Sequence, residues 1–282
     1  MPKNVFTKAV QELSSNINYS QPELFKSYLS RNGLNSVSIN TAQYLSIQSF
    51  SDLNPELKKN NLMIFRLGSR QKTKGTYFAL AKVLNDWNDY FLFDQTIFNP
   101  LTKKIKHIDW NSEPFISFTI IPKLTETSFV NLALSTGVLE EALNLDSNSV
   151  SIPATGRGNY TFNVKPSSKL NADWLHYSGQ VEIDSIFSGT RNGVEHLFII
   201  EAKSGKFPDS LAKHKLMYPV LSVINQIPQN IKITPVYLRV DDNTKNIDFY
   251  IAECKSFSKN DDLYIDSILV ERTISYTVPK TP

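Results

Sequence analysis

Cysteine occurs once in the 282 residues, at Cys254, which excludes an intrachain disulfide framework and any zinc or iron–sulfur site built from several thiolates of one chain. Such usage fits a reducing cytoplasm. Histidine is also scarce, and His107, His176, His196 and His214 never fall at a four-residue helical spacing, so an HExxH zinc helix is absent. There is no GxxxxGK[ST] phosphate loop and no GxSxG nucleophile elbow, which removes the commonest nucleotide-hydrolysing and serine-hydrolase readings. No apolar run reaches the roughly 18 residues needed to cross a bilayer, and the opening MPKNVFTKAVQELSS alternates polar and apolar residues instead of forming a signal-peptide core. A soluble, unexported, cytoplasmic protein without a membrane partner is expected. Net charge is small as well, with Lys+Arg 30 against Asp+Glu 27. Chemistry must then come from carboxylates, lysines and a hard metal ion.

What the chain does have is enough apolar material to fold, at 41% hydrophobic residues against 20% charged. Its charges are placed unevenly. From Leu57 to Asn85 the residues Lys58, Lys59, Arg66, Arg70, Lys72, Lys74 and Lys82 occur with no acidic residue among them. The same stretch, NLMIFRLGSRQKTKGTYFALAKVL, reads as a β-hairpin with a basic tip, preceded by helical segments at Pro22 to Ser30 and Ile39 to Phe50. Phosphate neutralisation by Lys and Arg supplies most sequence-independent affinity for nucleic acid, so Arg66, Arg70, Gln71, Lys72 and Lys74 are candidate DNA contacts. Arg157, between Gly156 and Gly158, is a further one.

Residues 1–123 read as an N-terminal α/β domain assigned to DNA recognition, ending near FISFTII, an apolar strand between Pro114 and Pro122. Residues 124–282 read as a second α/β domain. Its order is a helix at Ser128 to Leu145 with an interruption at Gly137, strands at YTFNV, QVEIDSIFS and VEHLFIIEAK, an amphipathic helix from Asp209 to Gln226, and strands KITPVYLRV and IDFYIAE. Asn192-Gly193 between two of these strands is the strongest short hairpin signal.

If Asn192-Gly193 forms a two-residue turn, cross-strand partners have numbers that sum to 385, so Asp184 faces Glu201 and Glu182 faces Lys203. Side chains two apart share a strand face, which places Gln180, Glu182, Asp184, Glu201 and Lys203 together. Val181, Ile183, Phe187, Phe198, Ile200 and Ala202 then form the core-facing set. Close acids repel unless something positive lies between them, and two hard carboxylates suit Mg²⁺, which keeps several waters and favours phosphate oxygens.

Asp184 followed across the hairpin by Glu201-Ala202-Lys203 resembles the motif of the PD-(D/E)XK nuclease superfamily, and within it the type II restriction endonucleases. The resemblance spans roughly residues 128–252 and extends to the order of elements. Ile183 stands where the motif has Pro, and KLMYP on the following helix puts Lys215 where some members have Gln. The resemblance implies a mixed sheet flanked by helices, Mg²⁺ held by Asp184, Glu201 and the Ala202 carbonyl, and Lys203 orienting water or stabilising the transition state. Gln180 and Glu182 would support the site, as would Glu140 or Glu141 of the leading helix, where some members place another acid. It implies site-specific cleavage of double-stranded DNA by a homodimer. A repair or mobile-element-defence nuclease of the same superfamily, or a non-catalytic DNA-binding module whose acidic face is only solvated, are the alternatives.

Overall fold

The computed structural model describes residues 5–13, 17–34, 39–70, 75–99, 102–205 and 207–280. The N-terminal part contains α1 (Thr7–Glu12), β1 (Glu23–Leu24), α2 (Phe25–Arg31), α3 (Thr41–Leu45), α4 (Pro55–Lys59), β2 (Leu62–Arg66), β3 (Tyr77–Lys82), β4 (Phe91–Phe93), α5 (Asp94–Ile97), β5 (Lys103–Ile105) and α6 (Glu113–Ile120). There follow α7 (Glu126–Ser135), α8 (Val138–Ala142), β6 (Ala154–Val164), β7 (Trp174–Arg191), β8 (Val194–Ser204), β9 (Ser210–Ala212), α9 (His214–Val223), β10 (Lys232–Asp242), β11 (Asn246–Cys254) and β12 (Val270–Pro279).

Seven strands form one mixed sheet in the order β5-β12-β11-β10-β8-β7-β6. β8 and β10 are parallel and joined through α9, whereas β7 and β8 form the antiparallel hairpin. β10 shows why the sheet sits at the centre. Val236, Leu238 and Val240 enter an apolar cluster with Phe129, Val130 and Leu139 of α7 and α8, while Ile233 and Tyr237 enter another with Leu216, Met217 and Val220 of α9. A strand covered on both faces reads as a near-continuous hydrophobic run, as KITPVYLRV does. Each fully buried Leu, Ile or Phe contributes about 1.5–3 kcal/mol.

β2 and β3 pair as the expected hairpin, in a three-stranded sheet with β1, and residues 71–74 of its tip lie outside the described residues. It is pinned to the large sheet. The Ser69 amide donates to the Tyr177 carbonyl at 2.8 Å and the Tyr177 amide to the Leu67 carbonyl at 3.1 Å. Gly68 has φ +71°, and a Cβ there would stand 2.5 Å from the Tyr177 carbonyl oxygen and 2.8 Å from Gly179 Cα, so only glycine permits this backbone approach. The apolar core is continuous across residue 123: Phe25, Phe65 and Tyr90 share one cluster with Val181, Leu216 and Tyr237. β4 pairs with β9, and β5 joins the edge of the large sheet beside β12.

Several local expectations are corrected. FISFTII is not a strand; it lies mainly in α6, where Pro114 sits in the first turn and fits a helix start better than a strand interior. The long amphipathic helix begins only at His214, because residues 210–212 are taken by pairing with β4. The interruption of the leading helix at Gly137 is found as expected, its φ of +72° ending α7 and starting α8. No helix among the described residues is long and apolar enough to cross a membrane.

Candidate active site

β7 and β8 pair from Arg191↔Val194 down to Ser185↔Ile200, all with positions summing to 385, and the ladder stops there. The next pair in that register is Asp184 and Glu201. Beyond it β8 continues against β10, with Glu201↔Tyr237 and Lys203↔Arg239, while β7 continues against β6, with Ile183↔Gly156 and Glu182↔Arg157. The two strands fork at the two acids. In the fork the Asp184 carboxylate replaces the missing ladder contact, its Oδ2 accepting the Ala202 amide at 2.9 Å.

β7 carries an irregularity at the same place. Ala154 pairs with Ile186 and Gly156 with Ile183, so two steps on β6 match three on β7. Alternation is broken as a result. Val181 and Ile183 join the cluster under α9, whereas Phe187, Phe198, Ile200 and Ala202 join the one under α7 and α8. The single core-facing set read from the sequence is therefore divided between two cores. Gln180 and Glu182 are exposed, and the Gln180 amide donates to Glu182 at 3.0 Å.

Glu201 is 2% exposed, in the middle of the sheet. Its Oε1 lies 3.2 Å from Lys203 Nζ and 3.2 Å from Lys215 Nζ, the latter reaching in from α9. Both ammonium groups face this one buried oxygen, which is held by charge. Burial, opposed by Lys215 and aided by the Asp184 charge, pushes the Glu201 carboxyl above the usual range. For Lys203 burial acts downward, but Glu201, Glu126 and Asp184 outweigh it and raise the ammonium above its ordinary value. Lys203 is thus a fixed positive charge at neutral pH and not a proton acceptor.

Glu126, which the sequence reading did not single out, completes the cluster. It lies in the first turn of α7, where Thr125 caps the helix by accepting the Ser128 amide. Its carboxylate accepts the Ser204 amide at 3.2 Å and stands 3.5 Å from Lys203 Nζ. The signal in the sequence is an acid directly after a capping Thr, at the head of the apolar run expected to cover the sheet. Glu141 is instead turned toward Lys104 and Lys106, 3.4 Å from each, at the far edge of the sheet. Glu140 has no contact with Asp184, Glu201 or Lys203 among the described interactions. The acid beside the motif lysine comes from the start of the leading helix and not from its Glu140-Glu141 pair.

Three carboxylates and two ammonium groups thus meet at the fork. No three His, Cys, Asp or Glu side chains among the described residues form a ready-made metal cage. Asp184 and Glu201 as a pair of hard donors fit an ion such as Mg²⁺, which takes few protein ligands and fills the remainder with water and phosphate oxygens.

Beside the fork lies a cavity of about 260 Å³ between α3, β2, β7 and α9. Lys215 lines it together with Arg66, Gln180 and Glu182. Arg66 donates to Ser46 Oγ at 3.0 Å, and the Tyr218 hydroxyl donates to the Arg66 carbonyl at 3.0 Å. Arg70 is exposed and stacked over the Tyr77 ring at 4.7 Å. Arg157 is exposed on β6 opposite Glu182. Gln71, Lys72 and Lys74 lie outside the described residues.

Residues 93–277, more than half of the chain, match a family model described as "Domain of unknown function (DUF6997)". No curated protein and no solved structure matches the chain.

Proposed function

The chain belongs to the DUF6997 family, whose description assigns no chemistry, and from the site we propose a divalent-metal-dependent nuclease that hydrolyses phosphodiester bonds of double-stranded DNA, a restriction-endonuclease-like enzyme of PD-(D/E)XK type. The observation that carries this reading is the fork: Asp184 and Glu201 stand at the point where β7 and β8 part, with Lys203 3.2 Å from the Glu201 carboxylate. A solvated cross-strand ion pair does not require a 2% exposed glutamate in mid-sheet with two ammonium groups on one oxygen.

Asp184 and Glu201 would hold the ion, with the Ala202 carbonyl as a further oxygen. The bound ion would supply Lewis acidity and lower the pKa of an attacking water. Lys203, kept protonated by the surrounding acids, stabilises negative charge that develops on the phosphoryl oxygens. Lys215 balances Glu201 from the other side and brings a second cation to the substrate's path. Arg66, Arg70 and Arg157 would neutralise neighbouring phosphates, which would fix the duplex without selecting its sequence. Cutting both strands calls for two such sites, supplied by a homodimer.

The test is digestion of mixed linear and supercoiled DNA with Mg²⁺, with chelator as the control, followed by sequencing of the ends. Metal-dependent cleavage that Asp184→Asn abolishes is expected, with a common sequence at the ends. DNA binding without cleavage would support the non-catalytic module.

A further inference from the structure

The cavity beside Lys215 has features that phosphate chemistry alone does not use. His176 and His214 are both buried in its wall, and the Nδ1 of each has no hydrogen-bond partner. Burial holds both imidazoles neutral, with pKa values of about 4 and about 3. A neutral imidazole adds a polar ring to the wall without adding charge. The rings are also flat surfaces: each lies 5.3 Å from the Tyr218 ring, and His176 stacks on Phe162 at 4.4 Å.

Lys215 faces the Glu201 carboxylate, while Arg66, bonded to the neutral Ser46 hydroxyl, keeps its charge, so the wall offers ring and apolar surface as well as positive charge. Aromatic and aliphatic faces with the Gln180–Glu182 pair at the rim match a planar heterocycle with polar edges. The volume, just below the roughly 300–1,000 Å³ of pockets for drug-sized molecules, suits one ring system.

We propose that this cavity receives a single nucleobase swung out of the DNA whose backbone lies at the Asp184–Glu201 fork. The assignment rests on the nuclease reading for the source of the base, while the pocket chemistry stands by itself. Unstacking one base costs a few kcal/mol, and enzymes that extrude bases recover it by hydrogen bonds to the base edge and by ring contacts. Lys215 lines the cavity and also touches Glu201, so an occupied pocket bears directly on the group beside the reacting phosphate.

The test titrates the full-length, metal-free protein with each of the four deoxynucleoside 5′-monophosphates and with inorganic phosphate, following the histidine ring signals by NMR. The fold-preserving variant is Gln48→Trp: Gln48 is exposed at the rim, and among the described residues its hydrogen bonds are made by its backbone, so the larger side chain fills the mouth without disturbing the core. At least one nucleotide is expected to shift His176 and His214 while His107 and His196 stay in place, and to bind at least tenfold more weakly to Gln48→Trp. Inorganic phosphate should not displace it. Absence of such shifts with all four nucleotides overturns the proposal, as does equal displacement by phosphate, which would make the cavity an anion site. Mg²⁺-dependent cleavage measured on the same preparations separates the two ideas: cleavage without nucleotide binding removes the base pocket alone, and nucleotide binding without cleavage removes the nuclease reading alone.

Discussion

The Ala202 amide donates to the Asp184 carboxylate at 2.9 Å across the point where β7 and β8 stop pairing. One oxygen of Asp184 is thereby spent on the fork. Asp184→Asn keeps an acceptor for the amide and should retain stability within about 1 kcal/mol, whereas Asp184→Ala leaves a partly buried N–H without a partner and should cost about 1–3 kcal/mol. Both should lose cleavage. Urea denaturation beside a cleavage assay checks this, and an active Asp184→Asn would remove the residue from the site.

Lys203 and Lys215 stand equally far from Glu201 Oε1 but have different surroundings. Lys203→Ala is expected to lower the single-turnover rate by about 10² or more, the scale seen when one preorganised electrostatic donor is removed. DNA affinity in Ca²⁺ should change little. An undiminished rate would show that Lys203 is only a structural counter-ion.

A pH shift is expected on removing Lys215. Burial already raises the Glu201 carboxyl, and the Lys215 charge is the largest influence lowering it. Lys215→Gln therefore raises it further. Since a metal binds the deprotonated carboxylate, the acidic limb of the pH–rate profile should move to higher pH. A limb that stays in place or moves to lower pH would mean that Glu201 does not govern metal loading.

Glu126 is predicted to matter where Glu140 and Glu141 do not. Glu126→Ala removes the acceptor of the Ser204 amide and an acid beside Lys203, so cleavage should fall. Glu140→Ala and Glu141→Ala should cleave at the wild-type rate. Parallel rate measurements on the three variants decide it.

Asp94 is fully buried, accepting the Asp209 amide at 2.8 Å and the Tyr237 hydroxyl at 2.9 Å, with Arg239 Nε 3.4 Å away. It ties the N-terminal part to β10 and to the segment entering β9. Asp94→Ala leaves a buried guanidinium without this partner and should cost about 3–5 kcal/mol. Denaturant unfolding measures the loss, and a change under 1 kcal/mol would show that the cluster does not hold these parts together.

The sequence by itself determined what depends on neighbours in the chain. Asn192-Gly193 sets the turn, and the turn sets the 385 register that runs from Arg191↔Val194 to Ser185↔Ile200 and brings Asp184 and Glu201 to its end. Apolar period and turn residues likewise predicted the β2–β3 hairpin, β10 and β11. Tertiary structure decided what depends on distant segments meeting. The shift between β6 and β7 is invisible in either strand alone, yet it divides an apolar series of uniform spacing between two cores. Glu126 reaches Lys203 because α7 packs across the end of β8, a contact between residues 77 positions apart. Residues 210–212 follow β4 into a strand because an exposed pairing partner outweighs helical periodicity. His176 and His214 carried no motif; they meet in a cavity whose walls come from four separate elements, and burial there, not spacing, lowers the pKa of each ring.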